Sequence, residues 1–158
     1  MPSNRTLVLL SLAMLMGCAT EKSASEKPLG VKTFALTPGE EVPPCAAAGA
    51  GAQGSGNVTV SPDESSLTAT VSYSGLSGPA TAAHIHAGKP GVAGPVVLPF
   101  SGDLTSPINK TFTAADYVAA QGAPADFAGF VQALKSGGAY VNLHTAACKP
   151  GEIRGQIP

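Results

Sequence analysis

The chain is poor in the residues on which several classes of protein depend. Its 158 residues contain no tryptophan, five phenylalanines and three tyrosines, and only 12% of them are charged. Nine lysines and arginines face ten acids and form no run, so the basic footprint typical of a nucleic-acid-binding protein is missing. Hydrophobic residues make up 44%, which excludes disorder throughout and supplies one domain with a largely aliphatic core.

The one long hydrophobic run lies near the start of the chain. Residues 7–16 (LVLLSLAMLM) follow Arg5, carry no charge and are too few to span a bilayer, which is typical of a signal peptide. The run ends in residues 15–18 (LMGC), which resemble the bacterial lipobox. In that motif the cysteine is lipidated and becomes the mature N-terminus.

This resemblance divides the N-terminal region into two parts. It implies a lipoprotein signal peptide over residues 1–17, and a lipidated Cys18 followed by a flexible tether up to residue 30. Ala19 stands where inner-membrane lipoproteins typically have aspartate, so we expect an exported protein held at the outer membrane or cell surface. The alternative is an ordinary signal peptide with an incidental cysteine.

The chain has few cysteines, and the lipobox-like motif would account for one of them. The chain has three cysteines, and lipidation of Cys18 would leave Cys45 and Cys148 as an even pair. Disulfides persist in exported proteins, so we predict a Cys45–Cys148 bridge. The alternatives are two buried free thiols or a metal site that uses cysteine.

Short alternating segments separated by turn residues fill the rest of the chain. Such a pattern predicts an all-β domain, a Greek-key-like antiparallel β-sandwich over residues 31–158. A short helical crossover is expected at about residues 113–136, made of a helical turn and a helix with one apolar face. The predicted strands are residues 31–37, 56–61, 67–73, 80–87, 96–100, 108–113, 139–145 and 152–157, whereas residues 46–55 are predicted to be irregular; the helical pieces are residues 114–121 and 126–136.

Four segments together resemble the CHRD domain, a module first described as a repeat in chordin. They are residues 40–44 (EEVPP), 78–88 (GPATAAHIHAG) followed by 94–97 (GPVV), 140–146 (YVNLHTA) and 151–156 (GEIRGQ). The resemblance implies an extracellular all-β module without a defined activity. Cys45 and Cys148 stand where that family often has other residues, which favours a disulfide particular to a subset of it.

All three histidines of the chain fall in the CHRD-like segments. Alternate residues of a strand share a face, so His84 and His86 point together, and His144 shares a face with Asn142. If the two strands are neighbours, three imidazoles converge as they would to bind zinc or copper. The pattern is loosely similar to the ligands of copper/zinc superoxide dismutases, but no acidic bridging ligand accompanies it. The alternative is a structural network in which the histidines hydrogen-bond Asn142 and the backbone.

Two charged residues near the end of the chain are candidates for that structural network. Glu152 and Arg154 are two residues apart, which predicts a charge pair on one face of the last strand. Glu40 and Glu41 in the first loop are further candidates to neutralise Arg154.

The sequence favours a binding function over catalysis. It contains no G-x-S-x-G elbow, P-loop or dinucleotide-binding fingerprint. We therefore expect a lipid-anchored binding module of the cell envelope, with an envelope protein or polysaccharide as partner and no certain cofactor. The alternative function is a copper- or zinc-binding redox protein that uses the three histidines.

Overall fold

The computed structural model describes residues 30–158. The signal peptide, Cys18 and nearly all of the tether predicted from the sequence lie outside these residues. Within residues 30–158, no helix has the length and hydropathy needed to cross a membrane. The elements are β1 (Lys32–Leu36), β2 (Gln53–Val60), β3 (Ser66–Ser74), β4 (Ala80–Ala87), β5 (Val96–Pro99), β6 (Ile108–Thr113), α1 (Phe127–Lys135), β7 (Ala139–Thr145) and β8 (Ile153–Ile157).

The eight strands form two antiparallel sheets, which confirms the predicted all-β sandwich. One sheet has the order β1-β2-β3-β6 and the other has the order β5-β4-β7-β8. The β4–β5 hairpin belongs to the second sheet while its flanking strands β3 and β6 pair in the first, which is a Greek-key-like connection. The sheets meet at one edge, where Thr37 and Arg154 exchange two backbone hydrogen bonds.

Alternation along each strand explains the core. On β3, Leu67, Ala69 and Val71 point inward and are fully buried, while threonines and serines alternate with them on the other face. Helix α1 adds its apolar face, as predicted, and its N-terminus is capped by Asp126, whose side chain accepts a hydrogen bond from Gly129 N.

Two elements differ from the sequence prediction by more than one residue at a boundary, and a third difference moves a candidate residue out of its strand. Strand β2 begins at Gln53, so the end of the segment predicted to be irregular is strand. The helical turn predicted over residues 114–121 is a 3₁₀ turn of only three residues, Ala114–Asp116. The last strand begins at Ile153, which leaves Glu152 in the preceding turn.

The predicted Cys45–Cys148 disulfide is confirmed. It joins residues 103 apart in sequence and ties the loop before β2 to the turn between β7 and β8. Closing so long a loop stabilises the fold by about 4–5 kcal/mol in the chain-entropy account.

A buried carboxylate fastens the same region. Glu152 is completely buried, and its Oε1 accepts hydrogen bonds from Gly49 N and Ser77 N at 2.9 and 2.6 Å. Its Oε2 accepts from Ser77 Oγ and Thr145 Oγ1, both at 2.5 Å. Burial alone would raise the pKa of Glu152, but these hydrogen bonds outweigh burial and leave the pKa below its ordinary value.

The predicted charge pair between Glu152 and Arg154 is therefore wrong. The carboxylate is engaged by Gly49, Ser77 and Thr145, and no ion pair joins Glu152 to Arg154 in the described part of the chain. Glu152 instead holds two loops against the β7–β8 hairpin.

Replacing Glu152 by glutamine tests this anchoring role. At neutral pH, Glu152→Gln should lower the free energy of unfolding by about 2 kcal/mol, because charge-assisted hydrogen bonds in a buried site are lost. The native pKa lies below the ordinary value of 4.5, so the stabilisation is complete above that pH and disappears as the pH falls through the native pKa. The difference between wild type and variant should shrink accordingly.

Urea unfolding between pH 7 and pH 3 measures this difference. Glu40→Gln is the matched control, since it removes the same charge from an exposed position. If Glu152→Gln lowers the free energy of unfolding at pH 7 by the same amount as Glu40→Gln, the carboxylate of Glu152 does not hold the loops.

Candidate metal centre

The pairing of β4 with β7 brings the three histidines together. The register places His84 opposite Asn142 and His144 opposite Ala82, so all three histidines and Asn142 lie on one face of the sheet. One ring nitrogen from each histidine lies within 4.8 Å of the others. The inward residues Ile85, between the first two histidines, and Leu143 belong to the core.

Loops cover this outer face of the sheet. His86 and His144 are only 7% and 9% exposed, whereas His84 is half-buried and gives the cluster its access to solvent. The loop from β4 to β5 and the turn from β7 to β8 supply the cover. With the core on its other face, every residue of β7 is buried.

Backbone carbonyls of the covering loops hold two of the imidazole rings. His86 Nδ1 lies 2.8 Å from Gly94 O, and His144 Nδ1 lies 2.7 Å from Lys149 O. A carbonyl oxygen only accepts, so Nδ1 is the donor in both rings. In a neutral imidazole the lone pair then belongs to Nε2, and this is the arrangement in which proteins present histidine to a metal.

The free Nε2 atoms turn toward one another. His144 Nε2 lies 2.9 Å from His84 Nδ1 and 3.0 Å from Asn142 Oδ1. His86 Nε2 lies 2.9 Å from the same Asn142 oxygen. The cluster thus brings three ring nitrogens and one amide oxygen together in a largely buried place, and these residues could hold a metal ion.

Burial keeps two of the imidazoles uncharged. It lowers the pKa of His84 to about 4, helped by His144 and His86 nearby. Burial also lowers the pKa of His86, although its contacts with Gly94 and Asn142 favour the protonated ring. At neutral pH these two rings are therefore uncharged, and each offers a nitrogen lone pair, which is the form of histidine that binds metal.

An aromatic ring and a guanidinium support the cluster from one side. The Tyr140 ring stacks on His86 with centroids 4.6 Å apart, and the Arg154 guanidinium lies 3.5 Å from the centre of the Tyr140 ring. Arg154 is 1% exposed and donates to the carbonyls of Val92 and Lys89, so it holds the loop that covers His86. Its position explains its burial, because the ring and the carbonyls replace its hydration.

Glu41 reaches the cluster from the first loop. It is buried, which raises its pKa to about 7 although Arg154 and the Asn142 amide favour the charged form. Gly151 makes room for it, since a Cβ there would lie 2.3 Å from Glu41 Oε1. Of the two glutamates expected near Arg154, Glu41 is the neighbour, while Glu40 is exposed.

The hydrogen bonds from the histidines to Asn142 and the backbone, which the sequence offered as the structural alternative, are present in the structure. Sequence reasoning gave no role to Tyr140 and did not identify which carbonyls take part. Tyr140 shares the strand face of Asn142 and His144, so its position was readable once β7 was predicted. Gly94 and Lys149 contribute only backbone atoms to the histidines, and nothing in their side chains signals this role.

Comparison with known proteins agrees with this architecture. Residues 32–157 match the model of the CHRD domain family, which covers every strand and the whole histidine cluster. No curated protein and no solved structure gives a significant match to the chain. The match spans most of the chain, and the protein therefore belongs to the CHRD domain family.

Proposed function

We propose that the protein is an exported, lipid-anchored binding module of the cell envelope whose CHRD domain binds copper or zinc through His84, His86 and His144. The observation that carries the metal site is the convergence of three ring nitrogens within 4.8 Å, two of them opposite a Nδ1 held by a backbone carbonyl. Imidazole nitrogen suits both metals, and rigid neighbouring strands fix its geometry.

Three features support export. The lipobox-like residues 15–18 follow an apolar run, the domain carries a disulfide, and a CHRD domain fits an extracytoplasmic setting. A lipid on Cys18 would leave the tether of residues 19–30 to present the domain at the membrane surface. An envelope protein or polysaccharide would be its macromolecular partner.

A binding function without catalysis suits the cover over the cluster. Only His84 is appreciably exposed, so a bound ion would be largely enclosed by protein. Copper bound at this site could change oxidation state, as the alternative function of a redox protein requires. Zinc could not, because it has no redox chemistry.

The metal site is tested by binding to histidine variants. Wild-type protein purified without chelator or a His-tag should take up one equivalent of Cu(II) or Zn(II), measured by elemental analysis and competition titration. His84→Ala and His144→Ala should each weaken binding by more than about 100-fold, beyond what loss of a supporting contact costs.

The chain has no fourth histidine, so imidazole-dependent binding can arise nowhere else. Asn109→Ala, at an exposed position of β6, controls for the effect of substitution as such. Unchanged affinity in both histidine variants would remove the metal site, provided that circular dichroism shows all variants folded.

The lipid anchor is tested at the mature N-terminus. Full-length protein expressed in a bacterium with lipoprotein processing should begin at Cys18 and carry the mass of attached acyl chains. Cys18→Ser should abolish lipidation and release the protein from the membrane fraction, whereas Ala19→Ser, which keeps the cysteine, should not. A mature N-terminus elsewhere, without lipid, would contradict the anchor.

A further inference from the structure

The amide of Asn142 lies at the centre of the histidine cluster. Asn142 is 2% exposed and pairs with His84 across the β4–β7 ladder. Its Oδ1 contacts Nε2 of both His86 and His144, at 2.9 and 3.0 Å.

These contacts join three hydrogen-bond acceptors when each ring holds a single hydrogen. Because Nδ1 of each ring donates to a carbonyl, that hydrogen lies on Nδ1 and Nε2 carries a lone pair. The amide oxygen is also an acceptor, so the lone pairs of the two ring nitrogens face a lone pair of Asn142 Oδ1 in a buried place. Such contacts are repulsive unless a positive charge lies among them or the amide is reversed, with its nitrogen toward the rings.

A contact on the far side of the amide opposes that reversal. Asn142 Nδ2 donates to the Pro150 carbonyl oxygen at 3.5 Å. A reversed amide would set Oδ1 against this acceptor and lose the donor. The Pro150 carbonyl thus favours the orientation in which the amide oxygen faces the histidines.

We infer that Asn142 Oδ1 is the fourth ligand of the bound metal, so that the site has three nitrogen ligands and one oxygen ligand. The inference rests on the proposed metal-binding function. Bond lengths of 2.0–2.2 Å place neighbouring ligand atoms of a tetrahedral site about 3.3–3.6 Å apart. Three of the six separations in the site are 2.9–3.0 Å, and the histidine nitrogens all lie within 4.8 Å of one another, so small side-chain shifts in both directions would reach this geometry.

A fourth protein ligand changes what the site can do. Catalytic zinc sites keep one position open for water, whereas sites filled by four protein ligands hold the ion for structure or storage. With Asn142 bound, the ion would be held by protein on all sides, which favours metal retention over hydrolytic chemistry.

Two sets of variants of the full-length protein test the fourth ligand. Asn142→Leu keeps the approximate side-chain volume and removes the oxygen. The double variant Asn142→Asp with Glu41→Gln exchanges amide and carboxylate between the two positions, so the net charge and the number of polar groups are unchanged. Asn109→Leu is the matched control, since Asn109 is exposed on β6, away from the metal site.

Affinity and ligand identity are read separately. Zn(II) affinity is measured by competition titration, and the Cu(II) ligand set by electron paramagnetic resonance. Asn142→Leu should bind Zn(II) at least about 10-fold more weakly and give an altered Cu(II) spectrum. The double variant should bind Zn(II) at least as tightly as wild type, and its Cu(II) spectrum should shift because a carboxylate oxygen carries negative charge. Asn109→Leu should match wild type in both.

The outcomes separate the two proposals. If wild type binds metal while both Asn142 variants keep its affinity and spectrum, the fourth ligand is wrong and the three-histidine site stands. If Asn142→Leu fails to fold, the double variant decides alone, and a wild-type spectrum in it overturns the inference. If wild type binds neither metal, the proposed function falls and the inference with it.

Discussion

The antiparallel pairing of β4 with β7 is the constraint on which the rest of the molecule depends. Its register places Ile85 and Leu143 in the core and leaves the histidines and Asn142 on the opposite face. A shift by one residue would exchange the two faces, burying imidazoles among aliphatic side chains and exposing Ile85. The hydrophobic core therefore fixes the relative positions of the histidines, and the site is rigid because the strands that carry it are packed in the sandwich.

A polar face that is also buried needs partners for each of its groups. The loop from β4 to β5 supplies carbonyls to His86 and Arg154, and the turn from β7 to β8 supplies one to His144. These loops have little regular structure, and their positions depend on the contacts of Glu152, Arg154 and the Cys45–Cys148 bridge. The charged residues near the chain end thus contribute to the site by holding its cover in place.

Most of the fold was predictable because alternation and turn residues are local signals. The bounds of β4, β6 and β7 follow from such patterns, and helix α1 from its apolar spacing. The start of β2 was not predictable, because Gly54 and Gly56 have no side chains to show the alternation of apolar and polar residues. The structure explains Gly56, where a Cβ would lie 2.4 Å from the Phe34 ring.

The candidate site was predictable only in part, for a different physical reason. That His84 and His86 share a face follows from the strand period, whereas the approach of His144, 60 residues away from His84, depends on which strands are neighbours. The sequence favoured a Glu152–Arg154 pair because the two are close in the chain. In the structure both side chains are buried, and each forms hydrogen bonds with a different loop that is far away in sequence.

The most direct test of the central claim is the nitrogen-15 spectrum of the histidine rings during titration with Zn(II). The account predicts that His86 and His144 carry their hydrogen on Nδ1, and that both Nε2 signals shift together and saturate at one equivalent of metal while the Nδ1 hydrogens remain. Ring nitrogens that do not respond to Zn(II), or hydrogens on Nε2 of His86 and His144 in the free protein, would contradict it.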